Sequence, residues 1–315
     1  MVSEFEFINN IKSRYGLAKI GDDCAVLPKD AKTDLLLTAD LLVEDIDFRV
    51  EWVTPELLGH KALAVSLSDI AAMGGKPSWA MLSIGIPENR WQSDFLDRFY
   101  DGWFTESRKW HVELIGGDVS RTPDKVVIDS IVGGEVKKGR AILRSTANPG
   151  DAIFVTGRLG GAAGALKLLE DGARIGSNST DGLLSKQLQP QPQLAAAKLL
   201  QELGIVTAMI DVSDGLSSDL GHICRASGTG AQISLEYLLI NPDLREHFPS
   251  EVCFDLALNG GEDFELLFTV SEKNISQLDS RLFTKIGLMT GNPGVIQISI
   301  DGKTSGLKGK GYRHF

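Results

Sequence analysis

A helical pattern occupies Ala64–Gly74, which reads AVSLSDIAAMG and carries one acidic residue, Asp69, among apolar neighbours. The pattern extends back to Thr54, a residue suited to a helix N-cap, with Pro55 in the first turn. We therefore predict a helix that begins at Thr54 and ends just before Gly74-Gly75. Carboxylates are oxygen ligands for hard cations such as Mg²⁺, so the acid inside this helix is a candidate metal ligand.

Five other acidic sites stand at the ends of short apolar runs, several of them beside glycine. The runs read KIGDD at Lys19–Asp23, LLLTAD at Leu35–Asp40, LIGGD at Leu114–Asp118, MIDVSD at Met209–Asp214 and LNGGED at Leu258–Asp263. Taken singly, each acid could simply end a strand, because Asp is common in turns. Five such sites with adjacent glycines favour a shared role, and no histidine or cysteine cluster competes for a metal. Together with Asp69 they predict Mg²⁺-dependent phosphoryl transfer.

The composition limits the classes of function. The chain has 315 residues, 43% of them apolar, which suits two domains of ordinary size with real cores. Its formal net charge of −10 argues against binding to nucleic acid or to an anionic membrane surface. We find no run of about 18 apolar residues and no secretory signal pattern, so we expect a cytoplasmic protein that does not span a membrane.

Strand and helix patterns alternate in both halves of the chain, which indicates an α/β or α+β fold. The turn cluster Asn148-Pro149-Gly150-Asp151 is the predicted boundary between a first domain, residues 1–147, and a second, residues 148–315. We also predict helices over 91–110 and 275–282, and a mobile polar loop over 172–190.

Two glycine-containing turns are candidate phosphate sites. Gly157–Gly164 reads GRLGGAAG between a predicted strand and a predicted helix, where backbone N–H groups can bind phosphate; close packing of the helix on the sheet explains the glycines equally well. Asp211–Gly215 reads DVSDG and places Asp211 at a strand end and Asp214 at a helix start. The start of this helix would offer N–H groups and a positive dipole end to a phosphate.

Seven segments, taken in order, resemble the thiamine-monophosphate kinase family, in the superfamily that includes aminoimidazole ribonucleotide synthetase and selenophosphate synthetase. They are GDDCA at Gly21–Ala25, KALAVSLSDIAAMG at Lys61–Gly74, GGD at Gly116–Asp118, GRAILRS at Gly139–Ser145, DVSDGL at Asp211–Leu216, GGEDFEL at Gly260–Leu266 and GYRHF at Gly311–Phe315. The resemblance covers nearly the whole chain, and the short segment before Gly21 favours this family over its relatives.

The resemblance implies ATP-dependent phosphorylation of thiamine monophosphate to thiamine diphosphate with several Mg²⁺ ions. It also implies a two-domain aminoimidazole ribonucleotide synthetase-like fold and a homodimer in which the N-terminal sheets pair. By motif, the metal ligands are Asp23, Thr38, Ala39, Asp40, Asp69, Asp118, Asp211 and Asp214, the nucleotide contacts are Trp110, Gly117, Asp118, Arg144 and Ser213, and the thiamine-side residues are Asp47, Glu262 and Tyr312. Asp118, Arg144 and Asp214 are the residues expected to act in the transfer itself.

The chain departs from the family pattern at two positions. The family often reads Ser-Thr-Asp where this chain has Thr38-Ala39-Asp40, so one hydroxyl is lost, although a backbone carbonyl could still bind metal. The family commonly has a substrate-contacting His where this chain has Asp47. Three roles are open for Asp47: it points away from the substrate, binds an additional metal, or contacts a cationic part of the thiamine. We favour the first, because Asp47 lies in an acidic stretch, Glu44–Asp47, whose residues can turn to solvent.

The implied reaction needs no catalytic histidine. The acceptor is a phosphate whose second pKa is about 6, so it is largely ionised at neutral pH and a general base is unnecessary. Metal ions and Arg144 would offset the repulsion between two anionic groups, and in-line positioning would supply much of the rate. Two alternatives stay open: another ATP-dependent synthetase of the superfamily, and a non-catalytic nucleotide-binding homologue.

Overall fold

The computed structural model describes residues 4–176, 179–300, 302–307 and 309–312. The first part of the chain forms a five-stranded sheet and four helices. These elements are α1 (Glu4–Tyr15), β1 (Ala25–Pro28), β2 (Thr33–Val43), α2 (Pro55–Ala72), β3 (Lys76–Ile86), α3 (Glu88–Trp91), α4 (Phe95–Trp110), β4 (Glu113–Arg121) and β5 (Val127–Lys137). The strand order is β1-β2-β5-β3-β4, in which β3 and β4 run parallel and the other neighbours antiparallel.

The second part forms a seven-stranded sheet with strand order β12-β11-β8-β10-β6-β9-β7. Its elements are β6 (Ala152–Thr156), α5 (Gly161–Glu170), α6 (Asp181–Leu188), α7 (Leu194–Leu203), β7 (Val206–Asp211), α8 (Leu216–Ser227), β8 (Gly230–Ser234), α9 (Leu244–His247), α10 (Ser250–Asn259), β9 (Leu266–Val270), β10 (Phe283–Thr290), β11 (Ile296–Ile300) and β12 (Lys303–Gly306). Strands β6 and β9 are buried along their whole length, which explains their continuous apolar sequences.

Helix α2 lies between the two sheets. The side-chain oxygen of Thr54 accepts a hydrogen bond from the backbone N–H of Leu57 at 3.4 Å, so the helix begins at the predicted N-cap. The helix packs against β2, β3 and β5 of the first sheet and against α6, α7 and β7 of the second part. Polar side chains on α2 are therefore placed at the junction of the two halves of the protein.

The two faces of the first sheet differ in exposure. Side chains alternate along each strand, and the inner set, which includes Leu36, Leu82 and Ile128, is buried beneath α2. On the outer face Leu41 is 59% exposed and Met81 is 38% exposed. In a single chain this outer face is an uncovered, partly apolar surface.

Strand β4 was not predicted as a strand. The sequence pattern placed Asp118 at the end of an apolar run, Leu114–Asp118, whereas the strand continues through Asp118 to Arg121. Gly117 is needed here because its φ is 153° and an added Cβ would lie 1.9 Å from the carbonyl oxygen of Leu82 on the neighbouring strand. Asp40 likewise lies inside β2 and not at its end.

Three other local predictions were wrong. The helix predicted over 91–110 begins at Phe95. The Ser93 hydroxyl donates to the Arg90 carbonyl and accepts from the Phe95 N–H, and these two hydrogen bonds interrupt the helix between Trp91 and Phe95. Within the predicted loop 172–190 the structure has α6, whose Leu183, Leu184 and Leu188 are buried. A short 3₁₀-helix at Glu272–Gln277 with no buried residue replaces the helix predicted over 275–282.

Among the described residues, no helix is both long enough and apolar enough to cross a membrane.

Candidate active site

Three buried or half-buried acids from distant segments meet beside α2. Asp23 precedes β1, Asp69 lies on α2, and Asp211 ends β7. One carboxylate oxygen from each of the three lies within 4.8 Å of the others. The sequence predicted all three as metal ligands, and the fold brings them together.

Hydroxyl groups hold this carboxylate cluster in place. Ser68, also on α2, donates a 2.6 Å hydrogen bond to Oδ2 of Asp211, and Thr38 Oγ1 donates to Oδ2 of Asp69. Ser66 donates to Oδ2 of Asp40 at 2.7 Å. The side chains of Thr38 and Asp40 thus belong to the inner face of β2, next to the cluster.

Ala39 belongs to the opposite face of the sheet. It lies between Thr38 and Asp40 in β2, pairs with Ile131 of β5, and is exposed while its two neighbours are at least half-buried. Because side chains alternate along a strand, a hydroxyl at this position would not face the cluster within one chain. The structure therefore leaves a backbone contact as the means by which Ala39 could bind a metal.

Arg144 provides positive charge at the cluster. Its Nη2 lies 2.6 Å from Oδ1 of Asp23, and its Nε donates to Oδ2 of the same carboxylate at 3.2 Å. The backbone N–H of Arg144 donates to Asp22 at 2.8 Å, which fixes the segment that carries the guanidinium. The two-point geometry is one that Arg makes and Lys does not.

The electrostatics of the cluster favour a cation. Burial, followed by the charge of neighbouring carboxylates, raises the pKa of Asp40 to about 6 and the pKa of Asp211 to about 7. The pKa of Asp69 is raised well above its ordinary value, first by burial and then by Asp40 and Asp211. Burial alone would lower the pKa of Arg144, but the surrounding carboxylates raise it instead. Negative charge is thus held together at an energetic cost that a bound cation would relieve.

These shifts predict how stability depends on pH without Mg²⁺. The folded-state pKa values of Asp40 (about 6) and Asp211 (about 7) lie above the ordinary 3.8, so the folded state keeps protons that the unfolded state has released. Their stabilising contribution is full below about pH 4 and is lost as the pH rises through about 7. We expect the unfolding temperature of the metal-free protein to fall over this range.

Added Mg²⁺ should raise the unfolding temperature more at about pH 8 than at about pH 6, because only ionised carboxylates bind the ion without first losing a proton. Thermal unfolding followed by circular dichroism measures both series. An equal Mg²⁺ effect at the two pH values would contradict this account of the cluster.

A cleft of about 520 Å³ adjoins the cluster and is lined by Asp40, which lies next to the cluster. Its walls also include all three residues predicted on the thiamine side, which are Asp47, Glu262 and Tyr312. The predicted nucleotide contact Ser213 and the predicted metal ligand Asp214 line it as well. The cleft has the size of a small-molecule site, and it lies directly beside the metal-type ligands. It is formed by both halves of the chain.

The turn after β7 places one wall of the cleft. The backbone N–H of Glu262 donates to the Ser213 carbonyl at 2.8 Å, and Glu262 has a left-handed φ of 64°. An added Cβ at Gly261 would lie 2.5 Å from the Ser213 carbonyl oxygen, so this close approach requires glycine. The backbone N–H of Tyr312 donates to the Asp214 carbonyl at 3.1 Å, which attaches the C-terminal segment to the same turn.

Asp47 is fixed by its own turn. Its Oδ2 accepts a 2.8 Å hydrogen bond from the Val43 N–H, and its backbone N–H donates to the Val43 carbonyl at 2.9 Å. The residue is half-buried and lines the cleft. Part of its hydrogen-bonding capacity is therefore used within the turn, which favours a structural contribution over a free side chain in solvent.

The three other predicted nucleotide or metal residues lie in α4 and β4: Trp110 at the end of α4, and Gly117 and Asp118 in β4, at the edge of the first sheet. Trp110 ends α4 and its Nε1 donates to Glu106 at 2.6 Å. Asp118 is exposed, pairs with Ser83, and belongs to the outer face of the sheet. None of the three lines the cleft described above. Within one chain the structure does not bring Asp118 to the carboxylate cluster.

The loop at Gly157–Gly164 uses its donors internally. The buried carboxylate of Asp263 accepts hydrogen bonds from the N–H groups of Gly160 at 2.6 Å and Ala162 at 3.1 Å, at the start of α5. Burial raises the pKa of Asp263 to about 7. These N–H groups are already occupied, which favours the packing interpretation of the glycines over phosphate binding.

Sequence reasoning missed four polar residues around the site. Lys61 and Gln187 line the cleft, while Asp219 and His222 each place a ligand atom within 4.8 Å of Asp214. Asp219 accepts from the Gly215 N–H at 3.0 Å and so fixes the start of α8. Two sequence patterns could have indicated these residues. Residues 214, 219 and 222 are spaced so that they can meet at the start of α8, and Lys61 lies one helical turn before Val65, which lines the same cleft.

The chain matches known families over most of its length. The domain called AIR synthase related protein, N-terminal domain, matches residues 21–136, and AIR synthase related protein, C-terminal domain, matches residues 148–294. Thiamine-monophosphate kinase of Escherichia coli strain K12 is 40% identical over 303 residues, which cover 94% of this chain and 91% of that protein. Thiamine-monophosphate kinase of Bacillus subtilis strain 168 is 37% identical over 305 residues, which cover 94% and 93%.

Solved structures share the fold. AaThiL complexed with AMPPCP and TMP has a TM-score of 0.89 at 32% identity, over 100% of this chain and 97% of that one. HypE of Escherichia coli, a hydrogenase maturation protein, has a TM-score of 0.71 at 19% identity, and at that identity it shows the fold alone. The expected two-domain mixed α/β fold is confirmed.

Proposed function

Because the chain belongs to the AIR synthase related family and, within it, to the thiamine-monophosphate kinases, we propose that it transfers the γ-phosphoryl group of ATP to thiamine monophosphate. The products are thiamine diphosphate and ADP. The observation that carries the proposal is the placement of a carboxylate cluster beside a small-molecule cleft, with Asp40 lining the cleft next to Asp69 of the cluster.

The donor set suits Mg²⁺. Asp23, Asp69 and Asp211 offer carboxylate oxygens close together, with Thr38, Asp40 and Asp214 nearby, and hard oxygen donors of this kind favour Mg²⁺ over softer metals. We propose that these residues hold several Mg²⁺ ions, with Ala39 contributing through its backbone. When bound, Mg²⁺ would neutralise negative charge on the phosphates of both substrates.

The chain's own residues then orient the substrates. Ser213 and Asp214 line the cleft just before α8, where the Ser213 hydroxyl can donate to a phosphate and the Asp214 carboxylate can hold a metal. Arg144 adds a fixed positive charge beside the cluster and offsets charge on the transferred group. The acceptor oxygen is already ionised, so no residue is required to remove a proton, and the transfer proceeds in line.

We also propose that the chain is cytoplasmic and that its two domains divide between residues 147 and 148. We further propose that it forms a homodimer through the outer face of the first sheet. The exposed apolar side chains of Leu41, Met81 and Ile115 support the homodimer, as does the position of β4 at the edge of this sheet. Asp118, Gly117 and Trp110 lie on or beside this region, so their proposed nucleotide and metal roles depend on what covers it.

The experiment that tests the proposed function compares acceptors at fixed ATP and Mg²⁺. Thiamine monophosphate should be converted to thiamine diphosphate, whereas free thiamine should react at least about a hundredfold more slowly, because its hydroxyl needs a general base, which typically contributes 10²–10⁴-fold. Chromatographic detection of the thiamine products and of ADP measures both rates.

Equal turnover of the two acceptors would contradict the mechanism without a base. ATP hydrolysis that does not depend on either acceptor would instead support another ATP-dependent activity of the superfamily. Binding of nucleotide without any turnover would support a non-catalytic homologue.

A further inference from the structure

A buried lysine reaches the cleft from the middle of α2. Lys61 is 2% exposed, and its Nζ lies 2.8 Å from Oε1 of Glu262. On the other side, Gln187 of α6 is 6% exposed and donates through Nε2 to Oε2 of Glu262. All three side chains line the cleft. Both oxygens of this carboxylate are therefore held by side chains that belong to two different elements.

The backbone of Glu262 is fixed as firmly as its side chain. Its N–H is bonded to Ser213, its φ is left-handed, and the preceding Gly261 leaves no room for a Cβ. The residue is thus positioned by the turn after β7, by α2 and by α6. Such support from several rigid elements is typical of a residue that must present one orientation to a ligand.

Glu262 keeps capacity for a ligand. Each carboxylate oxygen has two lone pairs, and Lys61 and Gln187 use one on each oxygen. The side chain of Glu262 is 30% exposed, toward a cleft that it lines. The Lys61 charge offsets the Glu262 carboxylate, so this ion pair offers hydrogen-bond acceptance without a net charge of its own.

We propose that Lys61 and Gln187 are positioning residues that hold Glu262 for the organic, non-phosphate part of the acceptor and not for the nucleotide. The proposal rests on the proposed function and assigns the specificity of the same cleft. Lys61 does not touch the reacting atoms; it acts through the carboxylate that it orients. Loss of Lys61 should therefore weaken acceptor binding selectively.

The test is steady-state kinetics of Lys61→Met, with thiamine monophosphate and ATP varied in turn. We expect the KM for thiamine monophosphate to rise about tenfold or more, because small misplacements of a positioning group have effects of this size. The KM for ATP should change by less than about twofold, because the interaction removed lies on the acceptor side. Lys61→Arg keeps the charge and should recover part of the affinity for the acceptor.

The matched control is Lys198→Met, which removes a lysine that is 77% exposed and pairs with Glu202 on α7. It should leave both KM values unchanged. Because Lys61→Met leaves a carboxylate without its charge partner and could fold poorly, the double variant Lys61→Met/Glu262→Gln removes both charges together. If Lys61 acts through Glu262, this double variant should have a KM for the acceptor no higher than the worse single variant.

The outcomes separate two failures. An active wild-type protein whose Lys61→Met variant keeps the wild-type KM for the acceptor, or raises both KM values equally, overturns the positioning role alone. Additive effects of Lys61→Met and Glu262→Gln overturn it as well. A wild-type protein that makes no thiamine diphosphate overturns the proposed function, and the positioning role falls with it.

Discussion

Asp69→Asn should nearly abolish turnover and at the same time stabilise the metal-free protein. Asp69 stands among Asp23, Asp40 and Asp211, and both burial and these neighbours raise its pKa. An amide is neutral, so folding of the metal-free protein no longer has to overcome repulsion at this position or take up a proton there. The same change weakens metal binding, because an amide oxygen is a poorer ligand than a carboxylate. The expected loss in turnover is about 10²–10³-fold, as for removal of one strong electrostatic group from an active site.

Two measurements on one variant check this result: the rate of thiamine diphosphate formation at saturating Mg²⁺, and the unfolding temperature without metal. The unfolding temperature should rise by a few degrees, since about 1 kcal/mol corresponds to roughly 2–4 °C in a chain of this class. Asp34→Asn is the matched control, because Asp34 is a buried acid of β2 that accepts from the Gly139 N–H at 2.7 Å, outside the carboxylate cluster. It should bring neither the gain in stability nor the loss in rate. A less stable Asp69→Asn protein would show that Asp69 is a structural acid.

The position of Asp69 illustrates what the sequence was able to predict. Its helix was identified from a cap at Thr54 and a glycine stop, and the acids at strand ends were recognised as a set. Their meeting point followed from the fold, since α2 packs against both sheets. The resemblance placed Glu262 and Tyr312 near the thiamine, and the structure puts both in the wall of one cleft.

Other features required the structure, for different physical reasons. Period-two alternation in β2 could have separated Ala39 from Thr38 and Asp40, but only once the strand was known to extend past Asp40. Strand β4 was hidden because its glycine, Gly117, serves close strand packing and not a turn. The contact of Lys61 with Glu262 joins residues far apart in sequence, and no local pattern reports such a pair.

Arg144→Met should have the opposite effect on stability from Asp69→Asn, with a loss of turnover of similar size. Removal of the guanidinium leaves Asp23 without its charge partner among acids whose pKa values are already raised. Breaking a buried ion pair by deleting one partner destabilises a protein by about 3–5 kcal/mol. The Arg144 side chain is 18% exposed, so we expect the lower end of this range.

The double variant Arg144→Met/Asp23→Asn tests the contribution of Arg144 to stability, and excess Mg²⁺ tests its role in the transfer. The double variant removes both charges, so most of the lost stability should return. Its turnover should stay about 10²–10³-fold below wild type, because the positive charge at the transferred phosphate is still missing and a proposed metal ligand is lost as well. Excess Mg²⁺ should not restore the rate of Arg144→Met. Arg144→Lys keeps the charge but cannot reproduce both contacts with Asp23, so its turnover should lie between wild type and Met. If excess Mg²⁺ did restore the rate of Arg144→Met, Arg144 would serve only to hold Asp23 for the metal, and the positive charge needed in the transfer would have to come from elsewhere in the site.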